Sequence, residues 1–176
     1  MSLRSSTDRY GHVAAAIHWL SALAVILMLI SGLVMDNVDD AAGSVLPFHV
    51  LLGVLVGALT LFRILWWLAF DRHPEPVDPP NSLQNRLAQI LHLGLYLAIL
   101  IMVASGIATV AISGAAPAIF GGGALPDFDD LAPFGAHALV SRLLIVLALG
   151  HVGAALFHHF VRRDGLIRRM GFGPAR

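Results

Sequence analysis

The sequence has no cysteine and no lysine, and it is poor in charge of either sign. Without cysteine there is no disulfide, no iron–sulfur cluster, no thiolate nucleophile and no C-x-x-C-H site for covalent haem. Only 12% of the 176 residues are charged, while 57% are hydrophobic; soluble domains carry about 25% charged residues. So few polar groups cannot cover so much apolar surface, and the chain is expected to face lipid. Its eleven arginines balance eleven acidic residues, which leaves no basic domain to hold nucleic acid. What the sequence has in excess is histidine, with nine.

Four apolar runs stand out: Val13 to Met35, Pro47 to Phe70, Leu87 to Ile112 and Phe134 to Val161. Each exceeds the roughly 20 residues a helix needs to cross the hydrocarbon core. Backbone in lipid must satisfy its own hydrogen bonds, so the runs predict helices rather than strands. The expected fold is an all-α, integral membrane four-helix bundle forming one membrane domain over 1–176. The first run is longer than a signal-peptide core and lacks a small-residue cleavage site after it, so it reads as a retained anchor.

The connections differ in charge. Asp36, Asp39, Asp40, Asp127, Asp129 and Asp130 fall in the first and third, which contain no arginine. Arg4 and Arg9 precede the first run, Arg72 and Arg86 fall in the middle connection, and Arg162, Arg163, Arg168, Arg169 and Arg176 end the chain. The positive-inside rule puts both termini and the middle connection in the cytoplasm. The 74–80 stretch, PEPVDPP, predicts a stiff extended linker. The run Gly121 to Gly123 predicts a mobile loop, and no internal repeat is visible.

Ionisable residues at membrane depth are costly and mark function. The helical rise places His18 about 8 Å above the inner end of the first span and His151 about 15 Å from the inner end of the fourth. His49 and His137 lie near the outer ends of theirs. His137 and His151 are fourteen residues apart, close to four full helical turns, so they share a face. Two pairs at two depths, each from different helices, is the arrangement for two stacked haems b with bis-histidine ligation. Other readings exist for single residues. A lone histidine can hydrogen-bond to a neighbouring helix. Zinc takes three or four ligands together, which two separated pairs fit poorly; a histidine-lined proton or metal pathway is the haem-free alternative. Gly53, Gly57, Gly150 and Gly153 serve either helix packing or room for a macrocycle. Arg63, fourteen residues after His49, faces either a haem propionate or the cytoplasmic interface. Arg142 is open to the same two readings, and Trp19, Trp66 and Trp67 suit an interface belt.

The first helix thus opens on Ile17-His18-Trp19. The second opens on Phe48-His49-Val50, with Gly53 and Arg63 beyond. The third has His92 four residues before Tyr96, and the fourth has His137, His151 and the pair His158-His159. This pattern, over nearly the whole chain, resembles the bacterial cytochrome b561 family, small four-helix di-haem proteins grouped with the membrane cytochrome b subunits of nickel–iron hydrogenases and formate dehydrogenases. The resemblance implies that His18 and His151 ligate an inner haem and His49 and His137 an outer one. It also implies a ubiquinone partner and a place in the bacterial cytoplasmic (inner) membrane. One family member oxidises superoxide and reduces ubiquinone. The expected function is therefore electron transfer between an outer donor or acceptor and the ubiquinone pool, with a superoxide:ubiquinone oxidoreductase as one form. The alternative is a non-enzymatic electron-carrier subunit of a larger redox complex. One departure matters: six outer aspartates, with Arg142 as the only nearby cation, repel superoxide and suit a basic redox protein instead. His92 and His158 lie near the inner pair and are free for a quinone, whose carbonyl needs a donor and whose reduction needs protons. Their alternative role is to cap helix ends or meet lipid headgroups.

Overall fold

The four apolar runs form four long helices, each starting before its run. In the computed structural model, which describes residues 2–171, these are α1 (His12–Asn37), α2 (Ala42–Ala69), α3 (Leu83–Ser113) and α5 (Ala132–Phe157). A short α4 (Ala116–Gly121) sits in the connection before α5. A π-helical turn, His158–Arg162, carries α5 onward and a 3-10 turn, Ile167–Met170, follows. Arg176, counted above in the basic tail, lies outside the described residues. All four long helices have the length and apolar character to cross a membrane, the last taken as Ala132–Arg162.

Local chemistry explains several boundaries. Ser82 caps α3 by accepting a hydrogen bond from the Asn85 N–H at 3.2 Å. Gly114 ends α3 with φ 65°, the left-handed conformation glycine adopts without penalty. Pro47 lies inside α2 rather than at its start. It sits within the first two turns, so it removes only one early backbone bond. The connection between α1 and α2 is therefore only residues 38–41, and much of the expected acidic loop is helical.

The apolar residues point outward, as lipid demands. Leu139 and Leu149 on α5 are 69% and 68% exposed, which would be prohibitive in water over so large a surface. The interior is thin: Ala24, Leu52 and Val56, flanked by Val25, Met28 and Ile99. The buried hydroxyls of Thr60 and Thr109 donate to carbonyls one turn back in their own helices, Val56 at 2.8 Å and Ser105 at 2.9 Å, so neither hydroxyl is stranded. Gly53 faces Met28 of α1 and Gly57 faces Val103 of α3, where an added Cβ would lie 2.9 Å from a valine methyl. These glycines serve close helix packing.

The bundle is two hairpins: α1 packs on α2, and α3 on α5, with α2 against α3 joining them. α5 does not pack closely on α1 or α2. The two ends of the bundle also differ. At the end carrying the termini, three segments are tied together. Arg169 donates to the carbonyls of Asp8 at 2.8 Å and Glu75 at 2.7 Å. Arg162 pairs with Asp78 of the proline-rich linker at 2.7 Å, and the Trp19 indole donates to the Met170 carbonyl at 3.0 Å. The opposite end has only the 38–41 turn and the α4 connection, and there Asp36, Asp39, Asp40, Asp127, Asp129 and Asp130 are all exposed.

Candidate haem sites between the hairpins

The gap between the hairpins is bridged by histidines. His49 of α2 and His137 of α5 face each other with ring centroids 6.1 Å apart and planes at 65°. Nearer the termini, His18 of α1 and His151 of α5 do the same at 6.1 Å and 60°. Both pairs thus join one hairpin to the other across a gap that the backbones leave open. Two imidazoles held to one metal ion from opposite sides, at about 2 Å per bond and with about 1 Å more from nitrogen to ring centre, would have centroids roughly 6 Å apart. Among the described residues no group of three or more His, Cys, Asp or Glu is arranged to hold a bare metal ion. The spacing fits a two-ligand centre such as bis-histidine haem.

The two pairs have different surroundings. At the acidic-loop end, His49 Nδ1 lies 2.7 Å from Ser31 Oγ, and His137 Nδ1 lies 3.0 Å from Ser105 Oγ. Each serine already donates its proton along its own helix, Ser31 to the Met28 carbonyl at 2.8 Å and Ser105 to the Met102 carbonyl at 3.1 Å. The serine oxygen then accepts from Nδ1–H, which leaves Nε2 of each imidazole unprotonated and free to bind.

At the termini end the neighbours are ionic. The Arg63 guanidinium donates to His18 Nδ1 at 3.3 Å, because arginine has no acceptor. It also lies 5.7 Å from the centre of the Tyr96 ring. Arg63 Nε and the Trp67 indole nitrogen are buried without a hydrogen-bond partner, and Arg63 has no carboxylate partner among the described residues. Two orphaned donors one turn apart on α2 leave room for an anionic group, and a haem propionate has the right charge. His92 is part of this cluster. Its ring lies 5.2 Å from that of His151, and its Nδ1 donates to the Ala88 carbonyl at 2.6 Å, so its Nε2 is also free.

His158 stands apart from the cluster. Its Nδ1 meets Asp164 Oδ2 at 2.5 Å on the far side of the π-helical turn, a distortion that recurs at functional sites. Burial alone would raise the Asp164 carboxyl. The hydrogen bonds from His158 and from the Leu166 N–H, with the His158 and Arg162 charges, outweigh it and hold the group below the usual carboxylate value. Arg142 is exposed on α5. The sequence reading missed Ser31, Ser105 and Asp164, and it gave Trp67 to an interface belt, whereas its indole nitrogen is buried beside Arg63. The signal for the serines was present: both stand in a Ser-Gly dipeptide, thirteen residues after His18 and His92 respectively.

Comparison with known proteins agrees with these features. The family described as prokaryotic cytochrome b561 matches residues 9–173. Cytochrome b561 homolog 2 of Escherichia coli K12 is 30% identical over 97% of this chain and 95% of its own. Cytochrome b562 of Cereibacter sphaeroides is 30% identical over 92% of this chain and 94% of its own. A probable superoxide oxidase of Yersinia pestis is 29% identical over 92% of this chain and 95% of its own. No solved structure matches. The chain is therefore a membrane electron-transfer protein of the prokaryotic cytochrome b561 family, and that membership implies haem b.

Proposed function

We propose that the chain carries electrons across the cytoplasmic membrane through two haems b, between an outer-face donor or acceptor and the ubiquinone pool. The observation that carries this reading is the matched geometry of the two histidine pairs, both at 6.1 Å and both joining the two hairpins. In this reading His18 and His151 hold the inner haem, His49 and His137 the outer one, and Arg63 with Trp67 takes up propionate charge. The positive-inside rule sets the orientation: the arginine-rich termini end is cytoplasmic and the aspartate-rich end is outside. Haem, when bound, supplies one-electron redox chemistry.

The protein's own residues do the rest. Helix packing holds the two sites at different depths on α5, fourteen residues apart, or about 21 Å by helical rise. His92 and His158 serve the cytoplasmic quinone. His158, with Nδ1–H held by Asp164, presents Nε2 to exchange a proton, and the ionised Asp164 stabilises the imidazolium that results. His92, fixed by the Ala88 carbonyl, offers a second polar contact beside the inner pair.

The exposed aspartates bear on the outer partner. A superoxide oxidase needs attraction for an anion, and this face repels one. A basic redox protein is the better electrostatic match, which favours the carrier-subunit form over the superoxide-oxidising form. The test uses purified protein in liposomes with ubiquinone, reduced either by a superoxide source or by a basic one-electron donor protein. Quinone reduction through the haems supports the reading, and the donor that works separates its two forms. Haem reduction with no electron passing to quinone in either case would refute it.

A further inference from the structure

We infer that Ser31-Gly32 and Ser105-Gly106 form a duplicated seat that positions the two histidine ligands of the outer haem. The inference rests on the reading that His49 and His137 ligate that haem. The absence of an internal repeat, expected from the sequence, is corrected by the spacing and the packing taken together. In the first helix of each hairpin, thirteen residues separate His18 from Ser31 and His92 from Ser105. In the second helix of each, fourteen separate His49 from Arg63 and His137 from His151. Since α1 packs on α2 and α3 on α5, the Ser-Gly dipeptide of each first helix meets the histidine of its own second helix.

The seat has two parts. The serine oxygen, its proton committed to Met28 or Met102 of its own helix, can only accept from the imidazole Nδ1–H. That fixes the tautomer whose Nε2 is a ligand. The glycine lies against the ring edge, and at Gly106 it makes room that a Cβ would fill. A Cβ on Gly106 would lie 3.3 Å from His137 Cε1 and 3.5 Å from its Nδ1, and one on Gly32 would lie 3.8 Å from His49 Cε1. At the inner site the spacing makes His18 the equivalent of His92 and Arg63 the equivalent of His151, and His18 Nδ1 meets a cation rather than an acceptor. The seat therefore acts on the outer haem alone. Donating Nδ1–H to an acceptor makes a ligating imidazole more basic, which favours the oxidised metal and lowers the outer potential.

The test compares Ser31→Val/Ser105→Val with Ser31→Thr/Ser105→Thr in the purified holoprotein. Valine and threonine share a shape and differ by the hydroxyl. The readouts are a redox titration and the low-spin electron paramagnetic resonance signals, with the outer haem identified as the one lost in His49→Ala. The valine protein is expected to show a raised outer potential and a shifted outer signal, with the inner haem unmoved. The threonine protein is expected to keep the parent values. Equal behaviour of the two proteins, shifted or unshifted, would overturn the proposal. If the valine protein does not fold, Gly106→Ala is the second arm: a displaced His137 ring should shift the same signal, and an unchanged outer signal overturns the seat. A His49→Ala protein that retains both haems overturns the ligand reading itself, and the seat with it.

Discussion

The two histidine pairs have the same separation and opposite surroundings. At the acidic end, His49 and His137 each give Nδ1–H to a neutral serine, which leaves both Nε2 atoms unprotonated. At the termini end, His18 receives a hydrogen bond from Arg63 at the nitrogen that must carry a proton for Nε2 to ligate. Beside that pair, Arg63 Nε and the Trp67 indole nitrogen are buried without a hydrogen-bond partner, so an anion placed there would be matched by a cation and a donor. Equal ring spacing thus does not mean equal sites. One has neutral serine oxygens beside its imidazoles, and the other has a cation beside His18.

The largest effects come from the ligands. His18→Ala and His151→Ala should abolish the same haem, and His49→Ala and His137→Ala the other, in reduced optical spectra. Loss of the same component by His18→Ala and His49→Ala would dissolve the contrast altogether. His158→Gln should slow ubiquinone reduction about a hundredfold, the lower end of lost acid–base assistance, with both haem spectra intact; stopped-flow reduction of quinone checks this. Arg63→Gln removes a cation from the inner site only. A unit charge at about 10 Å with an effective dielectric near 20 is worth roughly 2 kcal/mol, or somewhat under about 100 mV. The inner potential should fall by about that amount while the outer one stays, as read by redox titration.

Smaller effects are expected at the surfaces. If superoxide reduces the outer haem, added salt should accelerate the reaction a few-fold by screening the aspartates; a rate that declines with salt would reveal a local positive funnel. The smallest effect concerns the strap at the termini end. Burial alone would raise the Asp71 carboxyl, but the Ser5 N–H and hydroxyl, the Arg72 N–H and the Trp66 indole hold it below the usual value of 3.8. A depressed carboxyl stabilises the fold above its unfolded value and loses that contribution as pH falls through the folded one. Residues 2–10 should therefore stay protected from hydrogen exchange at neutral pH and loosen below about pH 4, and Asp71→Asn should loosen them at neutral pH.

Much of this was legible in the sequence because membrane helices announce themselves. Long apolar runs gave the four helices, and histidines are conspicuous where nearly everything else is aliphatic. What was hidden depends on which helix faces which. A serine in a membrane helix can bond its own backbone, so Ser31 and Ser105 look ordinary until α1 is laid on α2 and α3 on α5. The repeat was hidden because it preserves positions rather than residues: Arg63 stands where the other hairpin has His151. The helical start of α2 was missed because Pro47 reads as a boundary, although the early turns of a helix tolerate it. α4 was missed because six residues with Pro117 carry no periodic signal.

The most direct measurement is a pyridine-haem count against protein concentration on the fully loaded, purified chain, with its dithionite-reduced spectrum. Two bis-histidine sites predict two non-covalent haems b per chain, both low-spin. One haem or none, in protein saturated with haem, would contradict the two-site architecture.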